Sequence, residues 1–158
     1  MNEKQEIKDD IVKDAYYLVN LFTSDNNRPV TQLHVQKLMY LFEAYYMNKL
    51  KKDRLYDCEY QAWDFGPVAI PLYNKFKKYG RNNIKLTPDE IEIGNNISEC
   101  KKELLNKIYD VFKNYTAMQL VNFTHAEGSP WKEAWDEKAY SIIPKDKIRD
   151  WFSKYVKK

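Results

Sequence analysis

The segment from Gln61 to Val68, which reads Gln-Ala-Trp-Asp-Phe-Gly-Pro-Val, interrupts two stretches of helical periodicity near the middle of the chain. Gly66 has access to backbone conformations that are closed to other residues, and Pro67 disfavours helical geometry in the residue before it. The segment is therefore predicted to be extended, to turn sharply and to lead into the next helix. Its aromatic side chains serve either as a packing plug or as a recognition surface, and the frequency of aromatic residues in protein cores favours the plug.

On the N-terminal side of this segment, apolar residues recur at the spacing of amphipathic helices. The stripe on the first predicted helix comprises Ile7, Ile11, Ala15, Leu18 and Phe22. A second helix is predicted over residues 32–50, with Thr31 as its cap. Its predicted buried face comprises Val35, Leu38, Met39, Phe42, Tyr45 and Tyr46. Lys37 and Lys49 are predicted to lie on its solvent-facing side.

On the C-terminal side, residues 58–63 have the alternating pattern of a short strand, and helical patterns follow. The predicted helices cover residues 68–79, 97–115, 117–125 and 131–136, a short turn after Thr87 and a last helix after Pro144. Their predicted caps are Thr87, Thr116 and Ser129. The residues expected to face inward are Leu104, Leu105, Ile108, Val111, Phe112, Ile148, Trp151, Phe152 and Tyr155. The fold is therefore predicted to be mainly α, a single compact domain of about six helices with a minor short β element near residues 58–63.

Composition is typical of an ordered domain in a reducing compartment. Hydrophobic residues make up 44% of the chain, and the net charge of +3 is too small to indicate nucleic-acid binding by itself. Two cysteines without metal-site spacing predict neither a disulfide framework nor a zinc centre. Residues 114–126 form the longest run without Asp, Glu, Lys or Arg, and these 13 residues are too few to span a bilayer. The charged start is unlike a signal peptide, so the chain is expected to be cytoplasmic with no membrane partner.

Few residues are candidates for catalysis. His34 and His125 are the only histidines, and His125 with Glu127 and Asp64 is one candidate acid–base set. The alternative is that His125 and Glu127 satisfy backbone groups where a helix ends before Gly128. This alternative is favoured because the sequence contains no nucleophile elbow, phosphate-binding loop or paired-carboxylate spacing. No catalytic, cofactor-binding or metal-binding residue is therefore predicted, and no cofactor is expected.

A basic cluster follows the central segment and comprises Lys75, Lys77, Lys78, Arg81 and Lys85. Such a cluster either binds phosphates or forms an ordinary solvated helix face. The solvated face is favoured because the net charge is small and no base-reading motif is present. Nucleic acid is therefore not expected as a partner, and the abundance of Trp and Tyr, which anchor many protein interfaces, favours protein binding.

Three motifs resemble those of the Panacea domain family, also called the SocA-like or GepA-like phage-associated antitoxin domain. The first is Gln36-Lys37-Leu38-Met39-Tyr40-Leu41 followed by Tyr45-Tyr46. The second is Trp63-Asp64-Phe65-Gly66-Pro67-Val68 followed by Tyr73 and Lys78-Tyr79-Gly80. The third is Thr116-Ala117-Met118-Gln119-Leu120 followed by Thr124-His125-Ala126-Glu127-Gly128-Ser129-Pro130-Trp131. The resemblance covers residues 10–152, nearly the whole of a chain expected to form one domain over residues 1–158.

The resemblance implies an antitoxin-like protein of a toxin–antitoxin system, often prophage-associated, that neutralises a cognate protein toxin by direct contact. Steric masking of the toxin's active surface is the mechanism we expect. Two alternatives remain open: a proteolysis adaptor that delivers a toxin to a AAA+ protease, and a phage protein that binds a host factor. The family has no established catalytic residues, so the resemblance implies no enzyme activity.

Nine residues of the second and third motifs are predicted to form a structural hub near the partner-binding face. They are Trp63, Asp64, Phe65, Gly66, Pro67, Tyr73, His125, Glu127 and Trp131. The Gly-Pro corner is expected to bring the Trp63 segment close to the turn between His125 and Trp131.

Overall fold

The computed structural model describes the backbone of residues 3–156 and the side chains of residues 11–156. The helices of this part of the chain are α1 (Glu3–Ser24), α2 (Gln32–Leu50), α3 (Ile70–Phe76), α4 (Pro88–Asn95), α5 (Glu99–Phe112), α6 (Ala117–His125), α7 (Pro130–Glu137) and α8 (Lys145–Phe152). The strands are β1 (Tyr60–Trp63), β2 (Gly66–Ala69) and β3 (Ile142–Ile143), and single 3-10 turns cover Lys77–Tyr79 and Ser153–Tyr155. The prediction of a compact, mainly α domain with a minor β element is confirmed. The described residues form eight helices where about six were expected, and the turn predicted after Thr87 is a complete short helix.

α2 lies at the centre of the domain, in contact with α1, α3, α5, α6, α8 and β2. Twelve of its 19 residues are buried, which leaves little of its surface for solvent. The prediction for Lys37 is therefore wrong. Its side chain is fully buried, because β2 and α6 cover the side of the helix that was expected to face water. Lys49, near the end of the helix, is exposed as predicted.

The predicted apolar faces are largely confirmed, with two corrections. The stripe of α1 is buried from Ile11 onward, whereas the side chain of Ile7 lies outside the described residues. Val111 is 63% exposed because it lies at the edge of an α5 stripe that is centred between Leu105 and Ile108. Tyr155 is 49% exposed and docks only partly on the domain.

The predicted helix caps are confirmed. The side-chain oxygens of Thr87, Thr116 and Ser129 each accept a hydrogen bond from the backbone N–H three residues later. Thr31 is the N-cap of α2, and its backbone N–H donates to Nδ1 of His34 at 3.1 Å. These caps fix the chain positions at which the helices around the sheet begin.

The three strands form a small antiparallel sheet in the order β2-β1-β3. Trp63 pairs with Gly66, so the β1–β2 turn contains the two residues between them. Gly66 has a φ of +107°, in the region that favours glycine, which confirms the sharp turn. The helix expected from Val68 begins instead at Ile70, because Val68 pairs with Gln61 in the sheet.

Candidate functional site

The β1–β2 hairpin passes directly over Lys37 of α2. A Cβ atom at Gly66 would lie 2.7 Å from Cε of Lys37 and 3.1 Å from Oγ1 of Thr124. The Nζ atom of Lys37 donates a hydrogen bond to the carbonyl of Pro67 at 2.9 Å. The Gly-Pro step therefore permits a close approach between the hairpin and a buried amine, in addition to forming the turn.

The Lys37 amine lies in a poorly solvated environment. Its side chain has no exposed surface, and the ion pairs between described residues do not include it. Burial lowers the pKa of Lys37 from its ordinary value of 10.5 to about 7. The amine therefore changes charge near neutral pH.

Trp131 connects the hairpin to the turn between α6 and α7. Its Nε1 atom donates to the backbone carbonyl of Trp63 at 2.8 Å, although the two residues are 68 positions apart. The structure thus places the Trp63 segment beside the turn from His125 to Trp131, as the sequence predicted. Trp131 is only 5% exposed, so it acts as a core anchor rather than as a contact surface.

Aromatic rings surround this anchor on both sides. The imidazole of His125 stacks on Trp131 with ring centroids 3.7 Å apart and an interplanar angle of 22°. The Trp135 ring also stacks on Trp131, with centroids 5.5 Å apart. In the hairpin, the Trp63 ring lies 5.0 Å from Tyr73 and 6.0 Å from Tyr140. The packing of these rings holds the hairpin in one orientation relative to α3, α6 and α7.

The structure does not assemble the acid–base set of His125, Glu127 and Asp64. The Nε2 atom of His125 is buried without a hydrogen-bond partner among the described residues, and burial together with the charge of Lys37 lowers its pKa. Glu127 is exposed and makes no hydrogen bond to His125 in the described part of the chain. The carboxylate of Asp64 accepts a hydrogen bond from the hydroxyl of Tyr140 at 2.8 Å. The imidazole of His125 therefore lies near the backbone of Asp64, but neither carboxylate engages it.

A groove with a volume of about 690 Å³ opens above the hairpin and α2. Its lining residues are Thr31, Gln32, Leu33, Gln36, Lys37, Trp63, Asp64, Phe65, Val68, Tyr73, Gly80, Arg81, Met118 and Tyr140. Four of the nine predicted hub residues line it, namely Trp63, Asp64, Phe65 and Tyr73. Gly66 and Pro67 are buried beneath it, while His125, Glu127 and Trp131 do not appear in its lining.

Sequence reasoning did not select four groove residues that the structure brings together. Met118 and Tyr140 are 51% and 54% exposed, although both are large and apolar. Arg81 was predicted as part of a solvated helix face, and Lys37 was assigned to solvent. An apolar residue at an exposed helix position, such as Met118 two residues after the Thr116 cap, is a sequence signal that was available for this site.

The described residues contain no group of three or more His, Cys, Asp and Glu side chains placed to hold a metal ion. The helices in the same part of the chain are all too short or too polar to cross a bilayer.

A protein-family model described as "Antitoxin SocA-like, Panacea domain" matches residues 35–132. The matched range contains Lys37, the β1–β2 hairpin and the turn from His125 to Trp131. Searches of curated proteins and of solved structures gave no match.

Proposed function

The chain belongs to the SocA-like antitoxin family of the Panacea domain, and on that premise we propose that it neutralises a cognate protein toxin by direct contact. The groove above the β1–β2 hairpin is the docking face in this proposal. Binding there masks the active surface of the toxin without any chemical turnover. The toxin–antitoxin role follows from the family, whereas the docking face and the masking mechanism are proposals of our own.

The observation that supports this face most strongly is the exposure of three large apolar side chains around one groove. Phe65, Met118 and Tyr140 are 59%, 51% and 54% exposed, and they come from the hairpin turn, from α6 and from the segment before β3. Scattered exposed apolar residues are common, but a group that surrounds one concave surface is typical of a protein interface. Partly buried Trp63 and Tyr73 lie in the same groove and supply the aromatic residues that carry much of the energy in such interfaces.

The groove is also built on rigid elements. The hairpin is fixed by the hydrogen bond from Trp131 to Trp63 and by the hydrogen bond from Lys37 to Pro67. A surface that is ordered before binding loses less conformational entropy when a partner docks. Tight binding of a toxin by this face therefore requires little rearrangement of the antitoxin.

Growth rescue tests the proposal. The reading frame adjacent to the gene is expressed as the toxin, and the double variant Phe65→Ser with Met118→Ser is compared with Val111→Ser. Val111 is 63% exposed but lies on α5, away from the groove, so it is a matched control for loss of an exposed apolar side chain. We expect the double variant to bind the toxin about tenfold or more weakly and therefore to protect cells poorly. The control should protect cells fully.

A purified toxin assay separates masking from delivery to a AAA+ protease. Masking restores the process that the toxin inhibits when the two proteins are mixed alone. If restoration requires an added protease, the masking mechanism is wrong and the adaptor mechanism replaces it. If the chain protects against no neighbouring toxin, the neutralisation proposal itself is wrong, whatever its surface binds.

A further inference from the structure

Basic side chains at the groove have no ion-pair partner in the described part of the chain. Lys37 lies beneath it and Arg81 lines it, while Nζ of Lys77 lies 5.7 Å from the centroid of the Tyr73 ring. The ion pairs between described residues include none of these three cations. The single acidic residue in the lining is Asp64, whose carboxylate is engaged by Tyr140.

A neighbouring lysine shows the contrasting arrangement. Nζ of Lys75 on α3 lies 3.0 Å from a carboxylate oxygen of Glu90 on α4, and neither residue lines the groove. The α3 region therefore provides a counter-charge on the side away from the groove and none on the groove side. Unpaired cations next to exposed aromatic and aliphatic side chains are complementary to a carboxylate beside an apolar group.

We infer that the groove receives a segment of the partner protein in which an aspartate or glutamate lies beside a large apolar side chain. The carboxylate provides the negative counter-charge that is missing beside Lys37 and Arg81. The apolar side chain packs against Phe65 and Met118. This inference rests on the proposed function, because it identifies the chemistry of the toxin segment that docks in the groove.

The two cations contribute in different ways. Arg81 is exposed and its planar guanidinium can bind a carboxylate through two parallel hydrogen bonds. Lys37 has no exposed surface and, with a pKa of about 7, is only partly charged at neutral pH. It therefore acts through the electric field of its protonated form, which is screened less in a buried environment than in water. Arg81 is therefore a contact residue, whereas Lys37 is a positioning charge.

The residues of the groove favour a peptide over a nucleic acid as its ligand. Three cations are few for binding along a phosphate backbone. The apolar side chains of Phe65 and Met118 match an amino-acid side chain adjacent to the acidic group.

Synthetic peptides with blocked ends test the inference. One has the sequence glycine–phenylalanine–glutamate–leucine–glycine, and its partner has glutamine in place of glutamate. Binding is followed by amide chemical shifts in NMR spectra of the full chain, with the hairpin and Gly80–Arg81 signals as reporters. We expect the glutamate peptide to bind about threefold or more tightly than the glutamine peptide.

Single substitutions in the protein then test which basic residue recognises the glutamate of the peptide. Arg81→Gln removes an exposed cation of the groove and Lys107→Gln removes an exposed cation on α5, so both change the net charge equally. We expect the preference for glutamate to disappear in Arg81→Gln, to decrease in Lys37→Met and to persist in Lys107→Gln. Because Arg81 is exposed, its variant tests the inference even if Lys37→Met does not fold.

Each other result overturns the inference. Equal binding of the two peptides, or binding of neither, rules out recognition of an acidic segment. A single-stranded DNA oligonucleotide that binds more tightly than the glutamate peptide, in a manner that depends on Arg81, replaces it with nucleic-acid binding. The growth-rescue assay is independent of these peptides, so toxin neutralisation stands or fails separately.

Discussion

Lys37 and Lys145 are both buried, yet their ammonium groups have opposite surroundings. Nζ of Lys145 lies 2.8 and 2.7 Å from the two carboxylate oxygens of Glu43 and also donates to the carbonyl of Tyr56. Within the described residues, Nζ of Lys37 donates to the carbonyl of Pro67 and makes no ion pair. The first arrangement is a closed ion pair that joins α8 to α2, whereas the second leaves a cation beneath a groove.

This difference separates an amine whose counter-charge lies inside the domain from one that has no counter-charge in the described residues and lies next to a groove. Burying a cation costs free energy that a well-placed carboxylate offsets only in part, and without a carboxylate the cost remains. Lys145 has such an offset inside the domain. Lys37 does not, so its counter-charge is expected from a molecule that enters the groove. Three substitutions test this contrast, and one of them is followed by two measurements.

Lys145→Met should have the largest effect, because it leaves the fully buried Glu43 carboxylate without its cation. Removing one member of a buried ion pair typically lowers the free energy of unfolding by about 3–5 kcal/mol. Urea unfolding measures the change, and Lys138→Met at an exposed position is the control, with an expected change within about 0.5 kcal/mol. If Lys145→Met lowers the free energy of unfolding no more than the control does, the ion pair does not stabilise the fold.

Gly66→Ala should have the next largest effect. The substitution forces a Cβ atom to within 2.7 Å of Lys37 at a φ of +107°, and such backbone strain alone costs about 1–3 kcal/mol. Gly128→Ala is the matched control, because Gly128 also has a positive φ but a Cβ there has no atom within 4 Å. The difference between the two losses, measured by urea unfolding, reports the close contacts with Lys37 and Thr124. If both variants lose the same stability, the hairpin does not pack tightly over the amine.

The helices and the turn could be predicted from the sequence because local signals determine them. Thr87, Thr116 and Ser129 carry the side chains that cap helices, and Gly66-Pro67 restricts the backbone to a corner. The burial of the Lys37 side chain could not be predicted from such local signals. A lysine at a helix position next to apolar residues is normally solvated, and only the placement of β2 and α6 over α2 buries it.

For the groove as well, local motifs could be predicted from the sequence, whereas contacts between distant segments could not. The motifs predicted that the Trp63 segment and the turn before Trp131 lie together, and the hydrogen bond between Trp131 and Trp63 joins them. Tyr140 and Met118 escaped prediction because their contribution depends on how distant segments meet. Tyr140, for example, reaches Asp64 across 76 positions of sequence.

Lys37→Met should change how stability depends on pH. The pKa of Lys37 is about 7 in the folded protein and near the ordinary 10.5 when the chain unfolds, so between these values the unfolded state binds the additional proton. Stability of the parent protein therefore rises with pH above about 7, by at most about 1.4 kcal/mol per pH unit from this group. Urea unfolding at pH 6 and pH 8.5 should show the variant gaining most, relative to the parent, at the lower pH. A constant difference between the two proteins would contradict an uncompensated charge at Lys37.

The smallest expected effect of Lys37→Met is on His125. Burial lowers the pKa of His125 most, and the positive charge of Lys37 lowers it further, so removal of that charge should raise the pKa while the effect of burial remains. NMR titration resolves this change because His34 and His125 are the only histidines. His34 is an internal control, since burial lowers its pKa without a contribution from Lys37. A rise confined to His125 would show that the Lys37 charge reaches the turn next to Trp131, whereas equal shifts of both histidines would indicate a general change in packing.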